Sequence, residues 1–307
     1  MCPSAGAKWK APTATPSTGS RTERLGKGLR NIDKEPEVFV SKTDNPMDVL
    51  GIGANMVKAL RYYLQATGLT EEPLSGKRAQ TMTEIGRIIY ENDPYFEEIG
   101  SLWLVHYALS SNEENATSWY VFFNEFSMNE FSEDDFYKAL RKYVRIIDNE
   151  KMPSSRVISD DFKCVINTYC ASKRSSESVD PENNLECPLT ELGLVDLVTT
   201  IHGNRIYRKT TPKYEDLPML IILAVILCKY KGEKEIRISS LLNDKCSIGN
   251  TFNIDTLSLM NILYDLEKND YIKVIRTAGL DIIKILTDMS FEECIREYYY
   301  KLGKNGG

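Results

Sequence analysis

Histidine is scarce in this chain of 307 residues, which holds only His106 and His202. That makes most metal-centre and triad chemistries poor fits, because they rely on imidazole as ligand or base. The seven cysteines are odd in number and scattered, at positions 2, 164, 170, 187, 228, 246 and 294. They form no disulfide framework, and a reducing compartment is expected. Long apolar runs are missing too. The longest, Leu217 to Cys228, falls short of the roughly 20 residues that span a bilayer. Residues 1–20 lack the apolar core of a signal peptide, so a cytoplasmic location and no membrane partner are expected. An excess of positive charge is also absent: 38 Lys and Arg face 44 Asp and Glu, a net of −6. This excludes a uniformly basic nucleic-acid coat but leaves room for a local basic face.

What remains is ordinary globular composition, 42% hydrophobic and 27% charged, at a length that suits two domains or one large one. Residues 1–24 are rich in Pro, Ala, Ser and Thr without apolar periodicity and read as a flexible basic arm. Residues 1–34 carry seven basic against two acidic side chains, a net of +5.

Residues 25–92 read as a winged-helix-like domain. Met56, Val57, Leu60 and Leu64 share one face of a predicted helix over Ala54–Gln65, which Gly68 ends. Leu69–Ile85, interrupted by Pro73 and Gly76, predicts a hairpin that runs into a helix over Thr83–Tyr90.

Residues 93–170 read as an acidic helical domain, with fifteen acidic against six basic residues over 91–161, a net of −9. Ser101–Leu109 is apolar nearly all round and predicts a buried helix. Trp119–Phe126 is densely aromatic, and Ser132 followed by Asp135 resembles a helix start.

Residues 171–187 read as a linker or surface loop and 188–290 as a C-terminal winged-helix domain, followed by a tail over 291–307. The pattern in that domain predicts helices over Met219–Tyr230, with Asp216 as cap, over Ile238–Leu242 and over Asn253–Asn269. Two strands follow, Tyr271–Arg276 and Ile282–Leu286, around Ala278-Gly279. The expected fold class is mainly α with small β-hairpins (α+β), with winged-helix-like N- and C-terminal domains around a helical middle.

Several motifs carry a resemblance. They are Leu50-Gly51-Ile52-Gly53-Ala54-Asn55-Met56-Val57 with Arg61-Tyr62, Asp93-Pro94-Tyr95, and Leu102-Trp103-Leu104-Val105-His106. They continue with Phe122-Phe123-Asn124, Cys187-Pro188-Leu189 and Thr277-Ala278-Gly279-Leu280. Spanning about residues 25–290, they resemble a bacterial and archaeal domain-of-unknown-function family. Its members are encoded beside phosphoadenosine-phosphosulfate-reductase-like sulfur-transfer proteins, in islands of DNA phosphorothioate modification and phage defence. The resemblance implies a DNA-related accessory role and no particular activity. Members usually begin with a His/Phe/Arg-containing motif before the position of Leu25-Gly26-Lys27-Gly28; here only Arg21-Thr22-Glu23 is related to it.

The favoured site is a nucleic-acid-binding set made of Asn55, Lys58 and Arg61 on the outward face of the first helix, Lys77 and Arg78 on the hairpin, and Arg87. Arg and Lys neutralise phosphate or pair with guanine, and Asn pairs with adenine. The balance over 51–90 is only +2, so the same face reads equally well as a solvated helix surface. In the C-terminal winged helix, Asp255, Asp265 and Glu267 outnumber Lys268. That sign repels phosphate unless Lys273, Arg276 and Lys284 compensate, and it favours protein docking.

Other candidates have bland readings. His106, inside an apolar run, reads as a satisfied core histidine, and His202 as a turn residue. Cys164, Cys170 and Cys187 match no structural zinc spacing and read as buried thiols. Asp160-Asp161-Phe162-Lys163 contains the Asp-x-Lys of metal-dependent nucleases, but it opens a predicted helix, so Asp160 reads as an N-cap. Gly51-Ile52-Gly53 lacks the third glycine of a dinucleotide turn and reads as a helix entry.

No cofactor and no metal are expected. The function expected is a non-enzymatic, DNA-associated accessory protein of a bacterial DNA-modification (phosphorothioation-like) or phage-defence system. It would bind double-stranded DNA, with a phosphoadenosine-phosphosulfate-reductase-like protein or another defence-system subunit as partner. Two alternatives stand: an adaptor that docks a sulfur-transfer enzyme without touching DNA, and a cryptic metal-dependent nuclease.

Overall fold

The computed structural model describes residues 21–73, 75–76, 78–147, 152–171, 187–201, 204–277 and 280–305. His202, Lys77 and most of the 171–187 segment therefore lie outside the described residues, as do positions 1–20 of the arm. Among the described residues the architecture is α+β, with helices predominating and three small antiparallel sheets. No helix among the described residues is long and apolar enough to cross a membrane.

The chain opens with α1 (Arg21–Lys34), so residues 21–24, expected at the end of the arm, begin a helix instead. Close approach explains its Leu25-Gly26-Lys27-Gly28 segment: a Cβ at Gly26 would stand 2.1 Å from the Pro94 carbonyl oxygen. A short α2 (Pro46–Leu50) is capped by Asn45 and stopped by Gly51 at φ 60°, a left-handed conformation that glycine adopts without steric cost.

Helix α3 (Ala54–Ala66) then buries Val57, Leu60 and Leu64. Strands β1 (Thr70–Glu71) and β2 (Thr81–Met82) pair antiparallel, and α4 (Glu84–Asn92) follows. Thr83 caps α4 by accepting from the Gly86 amide while its hydroxyl donates 2.6 Å to the Gly68 carbonyl, which ties helix and hairpin together.

At the centre lies α5 (Ile99–Ser111), the predicted all-round apolar helix, with ten of its residues buried. Asp93 prepares its start, accepting from the amides of Glu97 and Glu98 and from the Ser101 hydroxyl. Next come α6 (Thr117–Asn124), β3 (Glu130–Phe131), α7 (Glu133–Ile147) and α8 (Ser155–Tyr169). Ser132 and Asp135 bond each other as the sequence pair foretold. Asp160, expected as an N-cap, lies inside α8. The cap is Ser154, whose hydroxyl accepts from Val157, so the helix starts nearly two turns earlier than an Asp160 cap would place it.

Strands β4 (Val195–Ile201) and β5 (Asn204–Lys209) form a hairpin, with β3 on the outer side of β5. Phe131 stands opposite Tyr207, and the two rings stack at 5.9 Å.

The C-terminal portion contains α9 (Met219–Lys229), β6 (Glu235–Arg237), α10 (Ile238–Asn243), α11 (Ile248–Thr251) and α12 (Thr256–Lys268). Strands β7 (Ile272–Thr277) and β8 (Leu280–Ile285) complete a sheet of order β6-β8-β7. Two starts differ from expectation. Asp216 ends a short 3-10 turn and Pro218 occupies the cap of α9, while α12 begins after Asp255 because Asn253 is held at φ 52°.

The last helix, α13 (Phe291–Asn305), expected only as a tail, packs on α9 and reaches back to α4 and α5. Tyr298 accepts from the Gly100 amide at 3.1 Å, the Tyr299 and Ser101 hydroxyls meet at 2.7 Å, and Arg296 reaches Glu84 at 3.4 Å. Amphipathic spacing of Cys294, Ile295, Tyr298 and Tyr299 accounts for the burial of its inner face.

Candidate functional site

Helix α3 and the β1–β2 hairpin set the geometry of the proposed binding face. Asn55 and Lys58, in the first two turns of α3, are exposed. Further along, the outward face narrows. Tyr62 donates its hydroxyl to the Asn115 carbonyl, and Arg61 turns sideways onto the hairpin. Arg61 Nε and Nη2 donate to both oxygens of Glu72, at 3.0 and 2.7 Å, in the two-pronged geometry that a guanidinium offers a carboxylate. Gln65 donates to the same carboxylate at 3.0 Å, and Arg78 lies 3.8 Å from it.

The structure thus brings Arg61 and Arg78 together on one acid and leaves Asn55 and Lys58 exposed earlier on the helix. Arg87 pairs instead with Asp33 of α1 at 3.7 Å. Lys77 lies outside the described residues. Glu72 is the participant that sequence reasoning counted only as a charge. Its partners sit seven and eleven residues away across a turn, a pairing that no local periodicity encodes.

The chemistry-bearing residues of the interior have structural partners. His106 is wholly buried, ringed by Trp103, Phe123, Tyr169 and Phe252 with centroids 4.7 to 5.7 Å away. Its Nε2 faces the Thr251 carbonyl at 2.7 Å. Since a carbonyl only accepts, the proton is on Nε2, and Nδ1 accepts from the Tyr169 hydroxyl at 2.8 Å. Burial pushes the imidazole down to about 4, against the opposing pull of the Thr251 carbonyl. Asp161 is buried beneath α6 and accepts from the Ser118 hydroxyl at 2.7 Å; burial pushes its carboxyl up to about 7. Its neighbour Asp160 pairs on the surface with Arg156 and Lys163. Cys164 and Cys187 are buried, while Cys170 is half-buried at the end of α8. Among the described residues no three His, Cys, Asp or Glu side chains are grouped to hold a metal.

A second feature left no trace in the sequence. Lys209 lines a cleft of about 730 Å³ with Asn124, Asn250, Asn253 and Asp255. Its amine donates to the Phe122 and Phe126 carbonyls at 2.6 and 2.5 Å, and it lies 4.8 Å over the Phe122 ring. Burial pushes this amine down to about 7. One bond closes the Phe122 carbonyl in the last turn of α6 and the other the Phe126 carbonyl just beyond it, so Lys209 works as a helix cap.

With this geometry in place, one comparison assigns the chain. The family described as a protein of unknown function (DUF4007) matches residues 19–299. The chain belongs to the DUF4007 family. Two solved structures share its fold. That of magnesium ion-bound SspB is 25% identical, with a TM-score of 0.76 over 95% of this chain and 88% of the other. A second SspB structure is 24% identical, with a TM-score of 0.75 over 96% and 89%. No curated protein matches the chain.

The motifs that carried the family resemblance are largely packing and joining positions of this DUF4007 fold. Gly51 and Gly53 turn the chain from α2 into α3, and Asp93 organises the approach to α5. Asn124 donates to the Ser110 carbonyl and accepts from the Cys246 amide at 2.6 Å, which joins α5, α6 and the loop before α11.

Proposed function

We propose that this DUF4007 chain is a non-enzymatic, DNA-associated accessory protein of a bacterial DNA-modification or phage-defence system. Family membership and the SspB fold support the modification setting that the sequence resemblance implies. The observation that carries the DNA contact is the solvent edge of α3: Asn55 and Lys58 are exposed there, and Arg61, a turn further along, shares the Glu72 carboxylate with Arg78 of the hairpin. Guanidinium and ammonium groups on one helix edge suit phosphate, and a helix followed by a hairpin is a groove-reading arrangement.

On this reading residues 25–92 form a winged-helix-like unit, with the basic residues that precede it in sequence adding charge. The order α9, β6, α10, α12, β7, β8 with sheet order β6-β8-β7 supports a second winged helix within 188–290. Its α12 exposes Leu257 and Tyr264, at 71% and 65%. Its acids are taken up within the chain: Asp255 caps Ser258, Asp265 accepts from Tyr214, and Glu267 holds Lys273. An apolar, charge-satisfied helix face suits a protein partner better than phosphate. The acidic middle over 93–170 would face protein as well. The burial of Asp161 against Ser118 favours an accessory role over a nuclease built on that residue.

The test is a pull-down from the native host with half the sample treated with nuclease. The expected result is two sets of partners, one lost with the DNA and one retained, the latter containing a sulfur-transfer enzyme or another defence subunit. Retention of every partner after nuclease treatment would instead establish the adaptor without DNA contact.

A further inference from the structure

Glu72 gathers two guanidinium groups of the α3 edge and the hairpin on one carboxylate. Its carboxylate takes both prongs of Arg61 and the amide of Gln65, with Arg78 at 3.8 Å. Glu72 is 11% exposed, Arg61 25% and Arg78 66%, so the cluster is anchored on the acid side and open on the cation side. A deeply buried pair would be closed to ligands, and a fully exposed one would be worth little. This one lies between, with its guanidinium edge within reach of solvent.

We propose that Glu72 is a built-in counter-anion that occupies the place of a DNA phosphate and must be displaced for binding, so that it sets the affinity of the α3 edge. The proposal rests on the reading that this edge meets DNA. Carboxylate and phosphate oxygens use the same guanidinium fork, so the two anions compete for one set of donors. Arg61 is held in a fixed orientation until the exchange, and Arg78, more exposed and more loosely paired, is the first cation a phosphate would meet. Glu72 is thus a positioning residue that acts through Arg61. Weak, readily reversed contact is the consequence, which suits a protein that attends DNA without being fixed to it.

The test measures binding of the full chain to a short fluorescent DNA duplex over a salt series. The proteins are the parent, Glu72→Gln, Glu72→Asp, and Glu72→Gln in an Arg61→Ala background. Gln keeps the size and removes the charge; Asp keeps the charge. Glu72→Gln is expected to bind on the order of tenfold tighter, the effect of releasing one charge-assisted contact. The slope of log affinity against log salt should stay near the parent's, because Arg61 meets the same phosphate once Glu72 is displaced. Glu72→Asp should stay near the parent, and the gain should largely vanish without Arg61. If the parent binds with clear salt dependence but Glu72→Gln binds no tighter, or Glu72→Asp gains as much, the counter-anion role is overturned and the DNA reading survives. If no protein in the series binds duplex, both fall.

Discussion

His106 and Asp161 hold opposite protons against their intrinsic preferences. His106 titrates near 4 in the folded chain against an ordinary 6.5, so between those values the unfolded state binds the extra proton. Its contribution is complete above pH 6.5 and lost as pH falls toward 4. Asp161 titrates near 7 against an ordinary 3.8, so the folded state holds a proton that the unfolded state has released. Its contribution is complete below pH 3.8 and lost as pH rises through 7. Over the shared window, from about pH 4 to 6.5, the two slopes cancel, each being worth up to about 1.4 kcal/mol per pH unit. Asp161→Asn should therefore expose a melting temperature that climbs with pH across that window, and His106→Gln one that falls, as thermal melts at several pH values would record. Parallel profiles for the two variants would contradict these proton assignments. The apolar run around His106 made its burial legible in the sequence. Asp161 was legible only as a motif, because its partner Ser118 comes from another helix.

Among elements, helix interiors were legible from their periodicity and helix ends less so. The Ser132–Asp135 start is written locally, whereas α8 and α12 begin where Ser154 and Asp255 accept backbone amides, and the sequence pointed to Asp160 and Asn253 instead. Helix α13 was not legible as a packing element, because its burial depends on α9 and α5, distant in sequence. Two helical glycines separate packing from propensity. Gly26 of α1 faces the Pro94 carbonyl at 2.1 Å from an added Cβ, so Gly26→Ala should cost about 2 kcal/mol as α1 is pushed off its seat. Gly303 of α13 meets nothing within 4 Å, so Gly303→Ala should stabilise by roughly 0.5–1 kcal/mol through helix propensity. Denaturant midpoints of the two variants should move in opposite directions.

For the molecule as a whole, the net charge of −6 averages unlike segments: +5 over residues 1–34, +2 over 51–90 and −9 over 91–161. That partition was visible in sequence and confines the proposed DNA contact to the first ninety or so residues. What sequence could not show is that one acid, Glu72, already occupies Arg61, so the count of cations overstates the charge on offer. The fold's joining residues, Asp93, His106, Asn124, Tyr298 and Tyr299, draw distant segments onto α5 and its neighbour α6. The most direct measurement of the central claim is the salt dependence of duplex binding by the parent chain and by the Lys58→Ala, Arg61→Ala double variant. The account predicts a parent log–log slope of about −2 to −3, shallower by about one to two units in the variant. A flat parent slope, or a double variant that binds as the parent does, would contradict it.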